Sequence, residues 1–338
     1  MIQEAIRKVM AGENLDFDTA KTVMDEIMSG QATQAQMASY LTALRIKGES
    51  VEEITASASS MRSKCEALHT ETEVMEIVGT GGDEVGTFNI STTTAFVVAA
   101  AGIPVAKHGN RSVSSKSGAA DVLESLGAKV TLNAAQCEKI LKETGICFMF
   151  AQMHHSSMKY AAPVRKELGI RTIFNILGPL TNPASATMQL MGVYSRDLVE
   201  PMAQVLSNLG VNKGFVVCGN DGLDEVTLTG PTHVCRISDG KFETFDIAPE
   251  DYGFTTCELS ELVGGSPVEN AEITRNILSG AEKGAKRDVV ILNAALCLAA
   301  ALGKDISEGV SMATELIESG KALEKLEAFI RATNGVEE

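Results

Sequence analysis

The sequence predicts an α/β protein, with a small N-terminal helical domain and a large α/β domain whose central sheet is mostly parallel and flanked by helices. Three observations carry this reading. Residues 1–65 show helical signals only. From residue 74 short β-type apolar runs alternate with helical stretches, the pattern of βαβ units. From residue 269 helical patterns return alone. A chain of 338 residues is long for one core, which also favours one large and one smaller domain.

The N-terminal helices announce their own ends. Thr33-x-x-Gln36 and Ser50-x-x-Glu53 are capping-box patterns, and Gly30 and Gly48 stand where helices should stop. Met37, Tyr40, Leu41 and Leu44 repeat at helical spacing. Strands are then expected at 74–78, 105–107 and 129–131, each followed by a helix, at 92–101, 119–126 and 134–143. Residues 214–218 (GFVVC) read as a strand buried on both faces. Residues 234–245 read as an antiparallel pair turning at Ser238-Asp239-Gly240. The most apolar run, 289–302, falls short of the roughly 18 residues that cross a bilayer. Asn293 interrupts it, so a buried helix is expected.

Composition excludes several classes of partner. A net charge of -15 opposes broad binding to nucleic acid or to an anionic membrane. The seven cysteines are odd in number and none forms a Cys-x-x-Cys pair, so reduced thiols are expected. The N-terminus has no apolar signal core. A cytoplasmic protein is the expectation.

Against that negative charge, residues 85–120 contain no carboxylate. Within them lies KHGNRSVSSKSG, residues 107–118, rich in cations, hydroxyls and glycine. A solvated basic loop is one reading, and an anion pocket the better one. Upstream, Gly79-Thr80-Gly81-Gly82-Asp83 follows a strand. It reads either as a tight turn or as a cradle of main-chain N–H groups. It lacks the spacing of a dinucleotide fingerprint and the Gly-Lys-Ser/Thr of a P-loop. Asn89, Ser91 and Thr92 crowd one helix start, where free N–H groups and the dipole already favour an anion. Two such loops leave consecutive strands, so in a parallel sheet they share the C-terminal edge. Asp224-Glu225 follows the strand 214–218. The two acids read either as solvated or as hard ligands for Mg2+ beside phosphates. Arg165 reads either as half of a surface ion pair or as the partner of a substrate carboxylate. His69 and His233 are expected at the surface. His154 and His155 are expected on an extended segment, facing opposite ways, with no zinc.

GTGGD, NIST, KHGNRSVSSKSGAADVLESLG, PVRKELGIRTIFNILGPLTNP and the Asp224-Glu225-Val226-Thr227 stretch, in that order, resemble the anthranilate phosphoribosyltransferase family over essentially the whole chain. Related pyrimidine-nucleoside phosphorylases have a similar layout, but they carry a further C-terminal domain and lack the GTGGD/NIST combination. A phosphorylase, or a transferase for another aromatic acceptor, is the alternative. A non-catalytic nucleic-acid-binding relative is the second; it should have lost the acid pair and gained a basic face.

The resemblance implies transfer of the 5-phosphoribosyl group from phosphoribosyl diphosphate to the amine of anthranilate, a step of tryptophan biosynthesis. It implies a donor site of Gly79, Gly82, Asp83, Thr87, Asn89, Ile90, Ser91, Thr92, Lys107, His108, Gly109, Asn110, Arg111, Ser112, Val113, Ser114, Ser115 and Ala119. It implies two Mg2+ ions held through Ser91, Asp224 and Glu225. Anthranilate is placed by Gly79, Asn110 and Arg165, with His108 and His155 along its path. Met158 stands where relatives often have an aromatic residue. No residue is implied as acid, base or nucleophile. The resemblance further implies a helical domain of residues 1–70, joined in space by about 165–185. The large domain then comprises 71–164 and 186–338, and a homodimer forms through the helical domain.

Overall fold

The computed structural model describes residues 1–81, 85–112 and 116–336. Four helices come first: α1 (Ile2–Met10), α2 (Phe17–Met28), α3 (Gln34–Lys47) and α4 (Val51–Ser63). Both expected capping boxes form. Thr33 N donates to Gln36 Oε1 at 2.9 Å while Gln36 N donates to Thr33 Oγ1 at 3.2 Å. Ser50 and Glu53 repeat the exchange at 2.8 and 3.2 Å. Gly30 and Gly48, at φ 74° and 88°, end the helices before them as glycine best can.

The alternating region follows: β1 (Met75–Gly79), α5 (Ile90–Ala100), β2 (Val105–Gly109), α6 (Ala119–Ser125), α7 (Ala134–Thr144) and β3 (Ile146–Phe150). Short helices α8 (Ala151–His154), α9 (Ala162–Leu168) and α10 (Phe174–Leu177) lead to β4 (Met188–Gly192), α11 (Val199–Asn208) and β5 (Lys213–Gly219). The hairpin β6 (Thr232–Ser238) and β7 (Lys241–Ile247) turns at Asp239 and Gly240, both at positive φ, as its sequence leads one to expect. Four helices close the chain: α12 (Pro267–Leu278), α13 (Ala285–Leu302), α14 (Ile306–Glu318) and α15 (Lys321–Asn334). The run expected as a buried helix is α13, buried from Val289 to Ala299.

The sheet order is β3-β2-β1-β4-β5-β6-β7, parallel from β3 to β5 and antiparallel beyond. Strand alternation sends Leu190, Phe215 and Val217 into a core shared with α5, α13 and α15. Met191, Val216 and Cys218 go to the opposite face, into a core shared with α1–α4, Val164, Phe174 and α11.

Three expectations fail here. Residues 129–131 are not a strand. Val130 and Leu132 are buried against the helical layer, and Lys129 N donates to Thr333 Oγ1 of α15 at 3.2 Å instead of to a ladder. The strands of that region are β3 and β4, apolar runs too short to carry a period. His154 is not on an extended segment but ends α8, its Nδ1 2.9 Å from Glu66 O. His233 is not a loose surface residue, because its ring is paired with Asp246 at 2.5 Å.

Candidate active site

Parallel pairing brings Gly79, Gly109, Gly192 and Gly219 to one edge of the sheet. β1 lies between β2 and β4, so strand order reverses there. In open α/β sheets ligands bind in the crevice at such a switch point.

The two loops leaving this edge are bonded to each other. Asn89 Nδ2 donates to Ser117 O at 3.1 Å, and Ser117 Oγ donates to Asn89 Oδ1 at 3.1 Å. Asn89 is the N-cap residue of α5, yet its side chain caps nothing. It is occupied by Ser117 and by Asn270, whose Nδ2 donates to the same Oδ1 at 3.0 Å. The first loop is also laddered to the chain before α12. Phe88 N donates to Leu262 O at 3.2 Å, Gly264 N donates to Gly86 O at 3.0 Å, and Thr87 bridges Val263. Ile90 and Thr92 are buried at the start of α5. Gly82, Asp83, Val113, Ser114 and Ser115 lie outside the described residues.

The acid pair folds back over the strand ends. Asp224 Oδ2 accepts from Gly81 N at 2.6 Å. Its carboxylate lies against Gly79 of β1 and its main chain against Gly192 of β4, where only glycine fits. A Cβ at Gly79 would stand 2.3 Å from Asp224 Oδ2, and one at Gly192 would stand 1.5 Å from Asp224 O. Glu225 Oε1 accepts from Ser91 N at 3.2 Å, at the positive end of α5. Both acids are 8% exposed. Lys107, almost fully buried, passes beneath the loops and donates to Ser91 Oγ at 3.3 Å and to Ile77 O. Burial pulls its pKa down, opposed by the charges of Glu76 and Glu225.

The carboxylate-free window is not carboxylate-free in space. Asp121 Oδ2 accepts from Ser112 N and Gly118 N, both at 2.9 Å, and so pins the second loop to the start of α6. Arg111 pairs with Asp121 at 3.0 Å and with Glu124 at 2.6 and 2.8 Å, which occupies the guanidinium expected on phosphate. Asn110 is exposed, and its carbonyl accepts from Ala120 N at 3.2 Å. Gly109 sits where a Cβ would meet the Phe148 ring at 2.8 Å and Ala119 Cβ at 3.0 Å.

Arg165 of α9 stacks over Phe174 at 5.2 Å. Among the described residues no carboxylate pairs with it, contrary to the surface-pair reading, and burial alone draws its pKa down. The His108 and His155 rings lie 5.0 Å apart, both buried. Neither His108 Nε2 nor either ring nitrogen of His155 has a partner at hydrogen-bond geometry among the described residues. Burial pushes His155 down to about 4 and His108 well below its usual value, so both rings are neutral at pH 7. Met158 is half-buried against the core that contains the N-terminal helices.

Beneath the histidines lies a buried polar layer. Glu76 accepts from His108 N at 2.9 Å and from Asn182 Nδ2, which also donates to Ala106 O at 2.8 Å. Gln189 Nε2 donates to Pro179 O at 2.9 Å. Burial raises Glu76 to about 7, with Lys107 and Asn182 pulling the other way. Sequence reasoning assigned no role to Glu76, Asp121, Asn182, Gly192 or Asn270. The one signal was a lone acid inside the apolar strand MEIVG.

The donor set fits Mg2+: two nearly buried carboxylates and the Ser91 hydroxyl, all hard oxygens, beside an edge fit for phosphates. Among the described residues no cluster of three metal-binding side chains exists, so phosphate and water must complete any coordination.

The chain matches the model described as "Glycosyl transferase family, helical bundle domain" over residues 3–65, and the "Glycosyl transferase family, a/b domain" over residues 71–323. It is 57% identical to the anthranilate phosphoribosyltransferase of Endomicrobium trichonymphae, over 99% of each chain. It is 58% identical to that of Lachnoclostridium phytofermentans, again over 99% of each. The crystal structure of the Thermus thermophilus enzyme superposes with a TM-score of 0.93 at 41% identity, covering 98% of this chain and 99% of that one. The Saccharomyces cerevisiae enzyme in complex with phosphoribosyl diphosphate and Mg has a TM-score of 0.92 at 30% identity, covering 99% and 98%. Sequence motifs, sheet order and these likenesses converge: the chain belongs to the anthranilate phosphoribosyltransferase family.

Proposed function

We propose that this chain transfers the 5-phosphoribosyl group of phosphoribosyl diphosphate to the amine of anthranilate, releasing diphosphate. The observation that carries the reading is the junction of the two loops through Asn89 and Ser117, with Asp224 and Glu225 seated against the same elements. One crevice then offers main-chain N–H groups, hydroxyls and hard acids to a sugar carrying two phosphate groups.

Departure of diphosphate from C1 leaves positive charge on the ribose ring, so the site must favour charge on the leaving group and hold the nucleophile opposite. In this reading Gly79, Thr87 and residues 89–92 hold one end of the donor, and residues 107–112 with Ala119 the other. The roles proposed for Gly82, Asp83, Val113, Ser114 and Ser115 rest on the resemblance alone. Mg2+, when bound, neutralises charge on the phosphate oxygens. We assign two ions, because Asp224 is turned to the first loop and Glu225 to the N-terminus of α5. Arg165 takes the acceptor carboxylate, while His108 and His155, Gly79 and Asn110 line the ring. An aromatic amine is largely uncharged at pH 7, so its lone pair is available without a strong base. The neutral histidines therefore shape the path and exclude water.

The same reading divides the molecule into residues 1–70 with 165–185, and the remainder. It makes the protein a cytoplasmic homodimer. Exposed Met10 and Ile46 on the N-terminal helices, 74% and 82% accessible, support a partner there.

The test is the loss of anthranilate fluorescence with and without donor and Mg2+. Consumption should require both. Phosphate-dependent cleavage of uridine or thymidine, with anthranilate untouched, would replace this reading with the phosphorylase.

A further inference from the structure

Asn293 is the one polar side chain in the buried stretch Val289–Ala299 of α13. It is fully buried, at 0% exposure. A carboxamide in such surroundings is costly unless every group is bonded, and leucine would suit the run better. Its bonds say what it does. Oδ1 accepts from Val226 N at 3.0 Å, and Nδ2 donates to Val226 O at 2.9 Å. A third bond, Nδ2 to Val289 O at 2.8 Å, ties the side chain to the preceding turn of its own helix. Val226 lies outside every helix and strand, so Asn293 supplies the ladder partner its main chain lacks. One turn further along α13, Cys297 is close enough to feel the charges of Glu225 and Lys107. On the far side of Val226 the chain is held separately, by Thr227 Oγ1 donating to Asp221 Oδ2 at 2.8 Å.

We infer that Asn293 is a positioning residue that holds the Asp224-Glu225 pair at the strand ends, through the main chain of Val226. The inference rests on the donor-site reading above. α13 then braces the metal-binding acids from below the sheet edge, and its polar interruption serves the site rather than the core. Loss of the carboxamide leaves a buried N–H and C=O unbonded one peptide from Glu225, and the segment moves to satisfy them.

The test is calorimetric titration of phosphoribosyl diphosphate with Mg2+, without anthranilate, into the wild type, Asn293→Ser and Asn293→Ala. Serine keeps a shorter polar group at this position, and alanine none. The expected dissociation constant rises about tenfold or more in Asn293→Ala, the usual effect of removing an outer partner of a metal ligand, and less in Asn293→Ser. The Michaelis constant for anthranilate should stay within twofold of wild type. Wild-type donor affinity in a folded Asn293→Ser or Asn293→Ala overturns the inference, as does an equal rise in both Michaelis constants. If Asn293→Ala fails to fold, Asn293→Ser decides. Absence of Mg2+-dependent donor binding in the wild type itself would instead overturn the functional reading, and the inference with it.

Discussion

The two sides proposed above for donor and acceptor are built differently. On the donor side the polar groups are already bonded: Asp224 to Gly81, Glu225 to Ser91, Asn89 to Ser117 and Asn270. Ser91 stands in α5, which is packed against the sheet, Asn89 is the N-cap residue of that helix and Asn270 stands in α12. On the acceptor side Arg165 has only an aromatic face among the described residues, and the His155 ring lies against that of His108. These groups sit on or beside short helices of four and seven residues. A highly charged donor demands groups fixed in advance, because reorganising them at the moment of reaction would raise the barrier. A small aromatic acid needs one cation and a dry slot, and Arg165 is the cation proposed for it.

This contrast can be broken at several points. The largest effect belongs to the acid pair. Asp224→Asn with Glu225→Gln should lower kcat/KM by about 10²–10³-fold, the scale of losing a preorganised charge-stabilising group. Circular dichroism and melting should stay near wild type, and unchanged Mg2+-dependent turnover would reject the metal role. Next, Arg165→Ala should raise the Michaelis constant for anthranilate about 10- to 100-fold, as expected for a lost charged hydrogen bond. The donor constant should barely move; equal shifts would take Arg165 off the acceptor side. Gly79→Ala comes third. Its Cβ would meet Asp224 Oδ2 at 2.3 Å, so the acid must shift. We expect the donor constant to rise and stability to fall by about 1–3 kcal/mol, measured by urea titration.

The smallest effect is a pH dependence. Burial raises Glu76 from 4.5 to about 7, so between these values the folded protein keeps a proton that the unfolded chain has lost. Stability from this group therefore falls as pH rises through the window and is level above it. Glu76→Gln lacks the titration, so its melting temperature relative to wild type should climb from pH 4.5 to 7. A flat difference would show that Glu76 is ionised throughout.

What could be read in advance follows the range of the interactions. Capping boxes, the hairpin turn and the buried α13 depend on neighbours within a few residues, and all three were legible. So were the two loops and the acid pair, since hydroxyls, glycines and adjacent acids are local signals. Strands β3 and β4 were not, because short apolar runs carry no period. Nor was the state of Arg111. Its partners Asp121 and Glu124 lie just beyond the acid-free window, and only the fold of α6 returns them to it. Glu76 and Asn182 meet across 106 residues, a pairing that no spacing rule anticipates.

Arg62 supplies a mechanical link between the two kinds of structure. Its Nε donates to Leu180 O at 2.7 Å and its Nη1 to Leu209 O at 2.9 Å, and burial lowers it to about 10. One rivet from the end of α4 thus fastens the chain that leads from Arg165 into the sheet and the last turn of α11. Movement of the N-terminal bundle is thereby passed to the segment proposed to receive the aromatic acid. The strand ends proposed to grip the sugar have no bond to Arg62 among the described residues.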